Sequence, residues 1–180
     1  MAWSTPLTAV ADAALTAAQW NSSVRDNLLE TAVARASQSG SIFAGAGVNS
    51  LAERFPFSTN AWQQETTAST AYTNLTTVGP TVTVTSGTRI LISVTATTWN
   101  NTTGVLNLVG LEITGASPLT PLDTLALRSS SPFVNSPGSF AGSYVHIYGV
   151  TAGTSTYQTK YRVTGGIGTF DDRRISGIPF

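Results

Sequence analysis

Pro80-Thr81-Val82-Thr83-Val84-Thr85 alternates polar and apolar residues, and the alternation resumes after Ser86-Gly87 in Arg89-Ile90-Leu91-Ile92-Ser93-Val94-Thr95. A period of two puts every second side chain on the same side of a strand, so each stretch reads as a strand with one buried face. Ser86-Gly87 is a turn signal, and the two stretches read together as a hairpin. Downstream, Asn100-Asn101-Thr102-Thr103-Gly104 is the next turn, before a strand from Val105 to Thr114. Ser117 to Gly138 holds Pro118, Pro121, Pro132 and Pro137 and reads as loop, with a strand expected at Leu122 to Arg128. Ser143 to Val150, Ser155 to Thr164 and a last strand ending near Ile178 follow, separated by turns at 151–154 and 165–168. About seven or eight short strands at regular spacing are the pattern of an antiparallel β-sandwich or jelly roll. Val, Ile, Thr and Tyr suit its half-buried faces.

Upstream the period changes. Thr16-Ala17-Ala18-Gln19 has capping-box spacing, and Leu15 and Trp20 occupy the two positions of a hydrophobic staple. The helix is expected to run from Ala17 to about Ala36. Trp20, Val24, Leu28 and Thr31 or Ala32 form a narrow apolar stripe opposite Ser22, Arg25, Asp26 and Glu30. That stripe needs burial, either on the chain's own β-domain or on a partner. Gly40, Gly45, Gly47 and Pro56 make 37–61 an extended linker, with one short strand at Ser41-Ile42-Phe43-Ala44. The expected organisation is therefore an arm with an amphipathic helix at 1–36, an extended linker at 37–61 and a β-sandwich at 62–180.

Composition narrows the function classes. Only 10% of the 180 residues are charged and the formal net charge is zero, so no field draws nucleic acid or an anionic membrane. Without cysteine there is no disulfide, thiolate metal site or thiol catalysis. The stretch Met1 to Thr16 lacks the basic and continuous apolar regions of a secretory signal, and no run of about 18 apolar residues points to a membrane span.

Catalytic constellations are equally sparse. The single histidine, His146, lies between Tyr144 and Tyr148 and reads as a packed face residue, since a general base needs a nucleophile and an orienting carboxylate nearby. The nine carboxylates are dispersed, which gives a glycosidase pair no positive support. Asp171-Asp172 invites a calcium ion, but the adjoining Arg173-Arg174 favours ion pairs. Gly165-Gly166-Ile167-Gly168 lacks the Lys-Ser/Thr ending of a phosphate loop and reads as a turn. Trp62, Trp99, Tyr144, Tyr148 and Tyr157 serve either a core or a sugar-stacking face. The expectation is a non-enzymatic chain with no cofactor and no metal.

Ala2-Trp3-Ser4-Thr5-Pro6, Leu15-Thr16-Ala17-Ala18-Gln19-Trp20-Asn21 and Val24-Arg25-Asp26-Asn27-Leu28-Leu29-Glu30 resemble the N-terminus of small structural proteins encoded by tailed phages of actinobacteria. The resemblance continues in Thr77-Val78-Gly79-Pro80-Thr81-Val82-Thr83-Val84, in Thr159-Lys160-Tyr161-Arg162-Val163, and in Arg173-Arg174-Ile175 with Ile178-Pro179-Phe180. It does not extend to Ser117 to Gly138. It implies a virion component, either a capsid decoration or head-fibre protein or a minor tail protein. The implied partners are the major capsid protein or other virion proteins, and copies of the chain itself, with a trimer favoured. Leu15, Trp20, Val24, Arg25 and Leu28 are the expected contact residues.

Overall fold

A computed structural model describes residues 14, 16–29, 36–48, 50–130 and 140–180. They fall into two compact units, Met1–Phe55 with Phe180, and Pro56–Pro179.

In the first unit the helix starts where the capping box places it. The Thr16 hydroxyl accepts from the Gln19 amide at 3.2 Å, and the Thr16 amide donates to Gln19 Oε1 at 2.9 Å. The helix is α over Ala17–Trp20, π over Asn21–Arg25 and α again over Asp26–Leu29. Leu29 is the last described helical residue and Ala36 is non-helical; the expected end near Ala36 falls on 30–35, which lie outside the described residues. Within the expected linker the structure forms a paired hairpin. Strand β1 (Ile42–Gly47) pairs antiparallel with β2 (Ser50–Arg54). Of the glycines read as linker signals, Gly45 and Gly47 belong to this hairpin, where Gly47 ends β1 at a register shift, and Gly40 precedes it.

The second unit begins before the expected boundary at 62, because β3 (Phe57–Ala61) is already part of its sheet. There follow β4 (Glu65–Thr67), β5 (Thr81–Ser86), β6 (Arg89–Asn100), β7 (Leu106–Gly115) and β8 (Leu127–Ser130). The last strands are β9 (Phe140–Gly149), β10 (Gly153–Val163) and β11 (Gly168–Pro179). One sheet runs β3-β11-β6-β9, with β4 beside β11, and the other runs β5-β10-β7-β8. All pairings are antiparallel. With β4 set aside, this is the interleaved order of an eight-stranded jelly roll, in which the chain changes sheet at almost every connection.

That topology corrects the expected hairpin. β5 pairs with β10 and β6 pairs with β11 and β9, so Ser86-Gly87 carries the chain across the sandwich. Alternation tells which side chains face inward, but not which strand satisfies the backbone edge. The stretch 122–128 is likewise a 3-10 turn, Asp123–Leu125, followed by β8.

Ile90, Ile92 and Val94 of β6, Val109, Leu111 and Ile113 of β7, Tyr157, Tyr161 and Val163 of β10, and Phe170 and Ile175 of β11 fill the space between the sheets. Among these apolar groups lies Arg173, fully buried. A bulge between Asp171 and Arg174, with Asp172 at φ 44°, turns it inward. Its Nη1 lies 3.2 Å from Glu65 Oε2, its Nη2 donates to the Gln63 carbonyl at 3.1 Å, and its guanidinium sits 5.4 Å from the Tyr161 ring centre. Arg173 is therefore neutralised by β4 and not by its neighbours Asp171 and Asp172.

Burial pushes the Glu65 carboxyl up, but the hydrogen bonds from Thr77 and the charge of Arg173 outweigh it and hold the group below its ordinary value. A depressed folded-state value contributes stability above the unfolded carboxylate range, and that stability is lost as pH falls through the folded value. Removing one partner of a buried pair leaves the other charge uncompensated. Glu65→Ala is expected to destabilise the protein by about 3 kcal/mol at neutral pH, and the gap to the unsubstituted protein should narrow below about pH 4. Urea unfolding at several pH values checks both statements.

Candidate functional site

The expected contact residues lie in the arm unit. Trp20 is 54% and Leu28 60% exposed, although both are large and apolar. Val24 is half-buried. Arg25 is exposed and forms a local ion pair with Asp26 at 2.8 Å. Leu15 lies outside the described residues, so the staple is not described.

The π segment alters the geometry of the stripe. Trp20 is in the first α segment, Val24 in the π segment and Leu28 in the second α segment. The wider π turn rotates Leu28 away from the position a uniform α-helix would give it. The segment includes the run Asn21-Ser22-Ser23, residue types able to compete with the helix ladder for backbone partners. Asn27 is buried and its Nδ2 donates to the Ser23 carbonyl at 2.8 Å. The arm thus presents Trp20 and Leu28 outward from a helix whose turn is held from within by Asn27.

In the sandwich unit His146 stacks on Tyr144 at 6.1 Å between centres and meets Tyr148 edge-on at 4.4 Å. This is the packed tyrosine setting expected from the sequence. Burial pushes the Tyr148 phenol up to about 12, which keeps it neutral at physiological pH. Tyr148 and Tyr157 are core residues, whereas Trp62 is 55% exposed. The Trp62 ring carries the Arg174 guanidinium at 5.5 Å.

The carboxylates work as structural partners. Asp123 and Arg162 pair side by side, with Nε to Oδ1 at 2.9 Å and a second contact between Nη2 and Oδ2. That contact holds the Asp123 carboxyl below its ordinary value. Arg162 also donates to the Thr70 carbonyl at 2.9 Å, so one guanidinium pins two loops to β10. Among the described residues, no three of His, Asp and Glu gather to hold a metal ion. No helix among them is long and apolar enough to cross a membrane. The 165–168 turn is held by asparagines: Asn100 Nδ2 donates to the Gly165 carbonyl at 3.1 Å, and the Ile167 amide to Asn101 Oδ1 at 2.8 Å.

The outer face of the β5 sheet is a hydroxyl surface. Thr83 meets Thr156 at 2.7 Å, Thr85 meets Thr154 at 2.8 Å, and Gln158 donates to Thr81 at 3.1 Å. Such cross-strand pairs fix register without charge. Sequence reading missed Arg173, Arg162 and Asp123 as network members, because their partners are far away along the chain. Comparison with family models and with curated proteins finds no match.

Thr16 caps the first turn of the arm helix with its side chain. Thr16→Ala is expected to cost about 1 kcal/mol of local helix stability. Hydrogen exchange at the Gln19 and Trp20 amides, which bond to Thr16, should rise by roughly fivefold while the amides of β6 stay unchanged.

Proposed function

We propose that this chain is a non-enzymatic virion structural protein of a tailed phage, acting as a capsid decoration or head-fibre protein. The arm attaches to the particle, through the major capsid protein or another virion protein, and the jelly roll is displayed outward as a homo-oligomer, with a trimer favoured. The observation that carries this reading is the arm helix, which leaves Trp20 and Leu28 more than half exposed. A large apolar pair left open on a helix locked by its own cap is a surface prepared for a partner. The sequence resemblance to phage structural proteins supplies the setting. The displayed domain fits it, since jelly rolls recur in capsid proteins and this one holds register through threonine pairs and buried ion pairs.

A second reading, a minor tail or tail-fibre module that binds host glycans, draws on one observation. Trp62 is open to solvent with Arg174 against its ring, and an exposed aromatic beside a polar cation is a platform for a saccharide.

Antibody-gold labelling of purified particles separates the two, with gold on the head for the first and along the tail for the second. No gold on particles from an antibody that recognises the folded protein would overturn both. Trp20→Ala combined with Leu28→Ala is expected to lower particle occupancy by more than tenfold, since two buried anchors are worth about 3 kcal/mol or more. Quantitative labelling of particles saturated with purified protein measures it, and wild-type occupancy would sink the anchor role.

A further inference from the structure

The outer face of the β3-β11-β6-β9 sheet carries an apolar row. Ile147 of β9 sits opposite Leu91 of β6, and Leu91 sits opposite Ile178 of β11. Opposed residues of antiparallel strands share one face, so the three side chains line up across three strands. Val145 lies on the same face, two residues along β9. Val145 is 56% and Ile147 57% exposed, whereas hydroxyl pairs line the outer face of the β5 sheet.

β9 is also the margin of its sheet, and its free edge pairs with no strand among the described residues. Native edges are guarded by charge, proline or a bulge. Phe140–Gly149 contains no charged residue and no proline, and its register with β6 runs without a break. An open, regular, uncharged edge next to an apolar row is adapted to contact with protein.

The charges on this face favour one occupant. Arg89 is exposed on β6 at one end of the apolar row, next to Leu91; past Val145, at the other end, Arg174 is exposed opposite Thr95, Asp171 is half-buried opposite Thr97, and Asp172 is exposed at the bulge. The apolar row therefore lies between one positive group and a cluster of one positive and two negative groups, so a second copy turned end for end sets unlike charges against each other. A nucleic acid or an anionic membrane finds no net charge here.

We infer that this sheet face, with Leu91, Val145, Ile147 and Ile178 at its centre, is where copies of the chain associate. The inference rests on the many-copy reading given above, and it places the contact on the jelly roll and not on the helix stripe. The proposed contact is apolar at its centre and ionic at its rim, as stable interfaces are.

Sedimentation of the purified full chain tests it, with no particle present. The unsubstituted protein is expected to form a closed oligomer at micromolar concentration. Val145→Glu and Ile147→Glu, each on a side chain more than half exposed, should weaken association by roughly thirtyfold or more, with an unchanged circular dichroism spectrum. Hydrogen exchange at β9 amides should accelerate in the same variants. A monomeric unsubstituted protein overturns the inference, whether its β9 amides exchange freely or are protected by another part of the same chain. An oligomer that survives both substitutions but dissociates with Trp20→Ala and Leu28→Ala also overturns it, because the contact then lies on the arm. A monomer that still labels particles would leave the virion reading standing, so the two ideas fail separately.

Discussion

The guanidinium of Arg173 is the constraint around which the sandwich is arranged. A cation fully removed from water must be met from several directions at once. β4 supplies the Glu65 carboxylate, the segment between β3 and β4 supplies the Gln63 carbonyl, and β10 supplies the Tyr161 ring. Tyr161 in turn donates to the Gly79 carbonyl at 2.7 Å, just before β5 begins. One side chain therefore ties β11 to the next strand in its own sheet and to the opposite sheet. The bulge at Asp172 is what lets an arginine in a strand of alternating residues face the core at this point.

Much of the fold was legible because burial leaves a period in the sequence. The alternation of β6 carries straight into its inward row of Ile90, Ile92, Val94 and Ala96. The capping box at Thr16 was equally legible, because it is local and each member can reach the other without help from the rest of the chain. What the sequence hid was pairing over distance. Thr81-Val82-Thr83-Val84-Thr85 reads the same whether it pairs with the strand that follows or with β10, some seventy residues away. Partner choice depends on which edges the whole topology leaves open, and no window of residues contains that. The pairs Arg173–Glu65 and Arg162–Asp123 were hidden for the same reason. The contact stripe at Trp20 and Leu28 was visible as a pattern, but the π segment between them, with Asn27 bonded back to the Ser23 carbonyl, is a change of helix type that periodicity does not register.

The scarcity of charge has a structural consequence. With 10% charged residues, several of the ionic groups are spent inside the fold or on loop anchoring, as Arg173, Glu65, Arg162 and Asp123 show. Hydroxyl groups take over the surface work that ion pairs usually do. Thr83–Thr156 and Thr85–Thr154 hold neighbouring strands in register on a solvent face. Such contacts are insensitive to ionic strength, because no net charge is screened. A surface of this type binds little by long-range attraction, so specific association must come from shape and from apolar contact.

Two apolar surfaces meet that requirement, and their geometry suits them to different tasks. Trp20 and Leu28 stand on one face of a helix, described over 17–29. Such a helix suits a groove on a larger partner, because the groove supplies most of the buried area. Leu91, Val145, Ile147 and Ile178 stand on a rigid sheet whose positions are fixed by three strands. A charge-balanced face of fixed register suits an equal partner with the same shape. Under the proposed reading the helix attaches and the sheet face assembles. An arm that attaches one chain at a time, and a sheet face that joins neighbours once attached, would reinforce each other through effective concentration without any further contact.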